Sequence, residues 1–173
     1  MNLSNLKRIV FALIAVLGIA GLSQPASAGG VYFGINLELV GGPIDLRFDR
    51  DFRIVPLPIA GVQLGYDFGE NGDGYGARLS LNFLIFGQIA ADAYHRFRLD
   101  GNGSNAYVGA GIEYQFLIFD TSVGAPAVHA LVGFEWRATP NLALFIEATP
   151  GVLLQLPAVA PTVIVRGGLL LRF

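Results

Sequence analysis

The 173-residue chain has no cysteine, and its only lysine is Lys7. The first absence excludes disulfide staples and thiol chemistry. The second removes the Lys and Glu coat with which a water-exposed protein usually covers itself. Charged residues make up 14% of the chain against 53% hydrophobic ones. Long apolar runs are missing beyond the N-terminus, since the most apolar later stretch, Val152 to Val165, is broken by Gln155, Pro157 and Pro161. It does not read as a membrane helix. A formal net charge of −2 offers no basic face to nucleic acid or to an anionic membrane surface. Whatever surrounds this protein is apolar, and helices do not cross it.

At the N-terminus, Lys7 and Arg8 precede the apolar stretch Ile9 to Leu22, and Pro25-Ala26-Ser27-Ala28 follows with small residues at cleavage spacing. Residues 1–28 are therefore expected to be a cleaved export signal, too short for a bilayer anchor. Residues 29–173 remain as one domain, with no linker or charge block dividing them.

That domain alternates. A period of two puts successive side chains on opposite faces of a strand. In "VYFGINLELV" the residues Val31, Phe33, Ile35, Leu37 and Leu39 share one face, and Tyr32, Gly34, Asn36 and Glu38 the other. "AGVQLGYDF", "YGARLSLNFLIF", "IAADAYHRFRL", "AYVGAGIEYQF", "VHALVGFEWRA", "LALFIEAT" and the closing "VIVRGGLLLRF" divide the same way. Turn-rich "GENGDG", "DGNGSN" and "TPN" follow strands two, four and six; longer segments are expected after strands one, five and seven, and a tight connection near "FGQ" joins strands three and four. The pattern predicts an all-β fold, an eight-stranded antiparallel up-and-down transmembrane barrel with both termini at the periplasmic side.

A soluble barrel with an apolar interior would also alternate, so the polar face decides. It is built of glycine, Asn, Gln and isolated charges of both signs, which suits a narrow lumen better than a wetted exterior. On the apolar face, Tyr66, Phe68, Tyr75, Phe97, Trp136 and Phe173 gather near the periplasmic ends of the strands, and Phe83, Tyr114 and Phe116 toward the other rim. Aromatic girdles at the two water–lipid boundaries have this layout. An open sheet edge in hydrocarbon would leave backbone groups unpaired, so the sheet must close.

With these strands and a final Phe173 preceded by Gly167, Leu169 and Leu171, the chain resembles the small eight-stranded outer-membrane barrels of the OmpA transmembrane-domain, OmpX and OmpW kind. The resemblance covers residues 29–173. It implies residence in a bacterial outer membrane and contact with its lipid. It also implies that Gly167, Leu169, Leu171 and Phe173 form the terminal signal read by the barrel assembly machinery.

Candidate chemistry is sparse. Some barrels of this type are lipid-modifying enzymes with a serine close to a histidine on one strand, but His95 and His129 are followed two residues on by Phe97 and Leu131. Without a nucleophile beside its base, acyl transfer has no mechanism, and no enzyme activity is expected. Asp45, Asp49 and Asp51 suggest a calcium loop only loosely, because Arg47, Arg50 and Arg53 interleave them. No metal or cofactor is expected. Inward charges form the main constellation: Glu38, Arg78, Arg96, Glu113, Glu147 and Arg166 at middle heights, with Asp67, Arg98, Glu135, Arg137 and Arg172 near the periplasmic mouth. Charges withdrawn from water need partners. Glu38, Glu147 and Arg166 are expected to meet, because strands seven, eight and one are consecutive around the closure.

The segments "IVPLPIA", "LIFDTSVGAPAV" and "LLQLPAVAP" are expected as extracellular loops, and are apolar where loops are usually polar. Exposed apolar surface marks contact with something, here a hydrophobic ligand or another envelope protein. The expectation is a structural or interacting barrel plugged by paired charges, the alternative a narrow pore or an OmpW-like port for small hydrophobic compounds. With no domain after Phe173, an OmpA-like anchoring role is not expected.

Overall fold

The computed structural model describes residues 30–42, 53–69, 73–83, 86–99, 101, 103–117, 124–155 and 158–173. Its elements are eight strands: β1 Val31–Gly42, β2 Arg53–Asp67, β3 Gly74–Phe83, β4 Phe86–Arg98, β5 Asn105–Leu117, β6 Gly124–Thr139, β7 Leu142–Gln155 and β8 Ala158–Arg172. Each pairs antiparallel with its neighbours in sequence, and β8 pairs with β1, so the sheet is a closed barrel. Residues 1–28, expected to be an export signal, and the segment with Asp45, Asp49 and Asp51 lie outside the described residues.

Burial follows the alternation strand by strand, with an unusual sign. The protected face holds the polar and charged side chains, while leucine, isoleucine, valine and aromatic rings cover the exterior. On β3 the alternation is unbroken from Tyr75 to Ser80, outward odd and inward even. The barrel core is thus its lumen.

Three segments expected as loops fall wholly or partly on strands. "IVPLPIA" belongs to β2, and its prolines, which cannot donate to a ladder, are absorbed by a register jump from Leu39–Pro58 to Val40–Val55. "LLQLPAVAP" is the end of one hairpin, pairing Leu153 with Ala160 and Gln155 with Ala158, so only residues 156 and 157 connect β7 to β8. The last part of "LIFDTSVGAPAV" is the start of β6. Strand three is shorter than alternation suggests: Phe83 pairs with Gly87, and Phe86 already lies on β4. At the other end of the barrel, Gly103 adopts φ of 91°, a left-handed conformation that suits glycine, where the chain turns from β4 into β5.

Candidate functional site

The lumen is filled in two charged layers separated by rings. In the central layer, Arg166 Nε lies 2.9 Å from Glu38 Oε1 and 3.4 Å from Glu147 Oε1. Arg78 donates from Nε to Asp92 Oδ2 and from Nη2 to Glu147 Oε1, both at 2.6 Å. His129 Nε2 is 2.7 Å from Asp92 Oδ1, with its Nδ1 3.5 Å from Glu113 Oε2. Amides complete the layer: Asn36 and Asn82 both donate to Glu38 Oε1, at 3.0 and 2.9 Å, and Gln88 and Gln115 donate to Glu113. Six strands contribute charge, so the network ties the wall across its diameter as well as around it.

The second layer lies toward the end of the barrel where β1 begins and β8 ends. Asp67 Oδ2 accepts from both Arg96 and Arg172, and Arg172 grips Glu135 with two parallel bonds, Nε to Oε1 at 2.9 Å and Nη2 to Oε2 at 2.5 Å. Planar two-bond pairing of this kind is the strongest geometry available to a guanidinium and a carboxylate. Tyr94 donates its hydroxyl hydrogen to Asp67 Oδ1 at 2.7 Å and stands 2.9 Å from the Tyr32 hydroxyl. The Arg172 guanidinium carbon lies 5.1 Å from the centroid of the Tyr32 ring.

Between the layers sit Tyr32, Tyr94, Tyr107, Leu131, Phe145 and Leu170, all buried. The tyrosines fit because register gives each a glycine directly across: Tyr32 opposite Gly65, Tyr94 opposite Gly76, Tyr107 opposite Gly133. A methyl group on any of these glycines would collide with the facing ring. The remaining void here is about 10 Å³, bordered by Gln63, Arg78, Arg96, Tyr107 and Arg172 among others. That volume is about the space of one water molecule.

Several sequence assignments change. Arg96 belongs to the second layer with Asp67, since its partners across the sheet, Gly74 and Tyr107, lie near the starts of β3 and β5. His129 is at the level of Asp92 because both pair with Gly111. Arg98 is exposed and donates to the Gly101 carbonyl at 3.1 Å, and Arg137 is half-buried beside Gly103. The Asp92–His129 contact and the filling role of Tyr107 escaped the sequence reading. Parity contains both, but only register shows which residues face one another. Outside, the His95 ring meets Tyr75 edge-on at 4.7 Å and lies tilted against Phe97 at 4.6 Å. Gly167, Leu169, Leu171 and Phe173 lie on the outward parity of the end of β8. Among the described residues, no group of three acidic, histidine or cysteine side chains is placed to hold a metal ion.

No family model matches the chain, and neither does any curated protein. Among solved structures, Neisserial surface protein A matches with a TM-score of 0.59 at 13% identity, covering 84% of this chain and 99% of that one. Ail, the attachment invasion locus protein of Yersinia pestis, has a TM-score of 0.48 at 16% identity over 85% of this chain and 99% of its own. The N-terminal β-barrel domain of Pseudomonas aeruginosa OprF gives 0.47 at 18% identity over 81% and 97%. The first likeness, together with the closed eight-strand topology, gives the chain the fold of the small eight-stranded outer-membrane β-barrels.

Proposed function

We propose that this chain is an outer-membrane β-barrel with a structural or interacting role, its lumen closed by paired charges, and that residues 1–28 export it. The observation that carries the reading is the inversion of polarity. Ile112 and Leu37 are 64% and 61% exposed on the outside, while Arg166 and Glu38 are 1% and 0% exposed inside. In water this arrangement would waste the hydrophobic effect. In hydrocarbon it is the stable one, and closure leaves no backbone edge unpaired.

A void of one water's size between the charged layers supports a plug over a pore. Both histidines have other occupations, His129 with Asp92 and Glu113, His95 with two aromatic rings, which supports a role other than catalysis. Contact with a hydrophobic ligand or an envelope protein is favoured by the outer end of the β7–β8 hairpin, where Leu154 and Val159 are exposed. The outward face of Gly167, Leu169, Leu171 and Phe173 is where the assembly machinery would read the terminal strand.

Refolding the chain into lipid vesicles tests the reading. A folded barrel should migrate differently on an SDS gel before and after boiling, and should give no stepwise ion conductance across a planar bilayer. Identical migration removes the barrel. Conductance that changes on Arg166→Ala replaces the plug by a port.

A further inference from the structure

The outer wall is not uniform. Register sets Ala77 opposite Ala93 and Ala93 opposite Ala110, so one row crossing β3, β4 and β5 presents methyl groups. The next row toward the outer rim carries Leu79, Ala91 and Ile112. Small side chains between larger ones make a trough, and a groove of about 580 Å³ lies here, lined by Leu64, Tyr66, Ala77, Leu79, Ala93 and Ile112 among others. Arg78 and Asp92 also border it, but their side chains are buried in the lumen. The outward side chains along the trough are apolar except at one end.

That end points to what occupies it. Toward the periplasmic side the trough reaches Tyr66, which packs against Phe68 at 4.9 Å, and beside it Tyr75 meets His95 edge-on at 4.7 Å. Tyrosine and histidine present an apolar body and a polar tip, which suits the level where oil gives way to headgroups. An occupant should therefore be apolar along its length and polar at its periplasmic end.

We propose that this trough seats one acyl chain of a phospholipid in the periplasmic leaflet, its headgroup beside the Tyr75–His95 pair. The seat rests on the outer-membrane reading above. Hydrocarbon gives no hydrophobic drive for the contact, so the gain comes from close packing, which the alanine methyls permit.

Native mass spectrometry of the full chain, released from bilayers of palmitoyl-oleoyl phosphatidylethanolamine, reads the seat directly. The parent should retain one lipid. Ala93→Phe fills the trough and should lower the retained fraction about tenfold, as a steric clash of about 1.4 kcal/mol would. Ile146→Phe, on the exterior of β7, should leave it unchanged, and the milder Ala110→Leu serves if Ala93→Phe does not insert. Retention unaltered by both trough variants overturns the seat. So does retention of lipid A in preference to the phospholipid from bilayers that contain both, or a disulfide-linked dimer of Ala93→Cys, which would put a second copy there; the chain's lack of other cysteines keeps that arm clean. A parent that inserts and shows heat-shifted migration but retains no lipid removes the seat alone. One that does not insert removes the membrane reading with it.

Discussion

The Arg166 guanidinium lies between two carboxylates, and neither it nor Glu38 has water to fall back on. Removing one partner of such a pair leaves a buried charge uncompensated, so Arg166→Ala should destabilise the barrel by about 3–5 kcal/mol. Replacing both, as in Glu38→Leu with Arg166→Met, should recover most of that loss, because the charge and its desolvation disappear together. Urea titrations of the vesicle-inserted proteins measure both, and equal losses in the single and double variants would contradict the pairing. The tyrosine–glycine contacts give a second test. Gly133→Ala places a methyl group against the Tyr107 ring and should cost about 1–3 kcal/mol in the same titration. Alternation is a property of one strand, so a sequence can carry which face a side chain takes. Its partner depends on the offset between two strands, which is why Asp92 and His129 were not read as a pair and Arg96 was assigned to the wrong layer.

All eight strands were legible as elements, because outside and inside make opposite chemical demands on alternate residues. Their ends were not. Proline and long apolar composition argue for a loop when a segment is read alone, yet Pro58 pairs with Leu39 and Pro161 with Val152 inside the ladders. Depth along a strand sets the cost of misplacing a charge. Ile112→Arg, near the middle of β5, should destabilise by about 2–4 kcal/mol, and Tyr75→Arg, at the periplasmic end of β3, by about 0–1. Equal costs in vesicle unfolding would show that the exterior does not face a bilayer of graded polarity.

Taken whole, the described residues form a closed barrel whose buried charges fill the lumen. A hairpin that crosses a bilayer carries its charged side chains through hydrocarbon at a cost. Between Glu147 and Arg166 there is no charged residue, and the β7–β8 hairpin turns within that neutral length on a two-residue connection. It carries nothing that must be dragged across with its hydration shell. This hairpin should therefore lead the passage into the membrane. A nitroxide at Val159 would lose contact with water during vesicle insertion sooner than one at Phe116, and simultaneous burial would count against a leading edge.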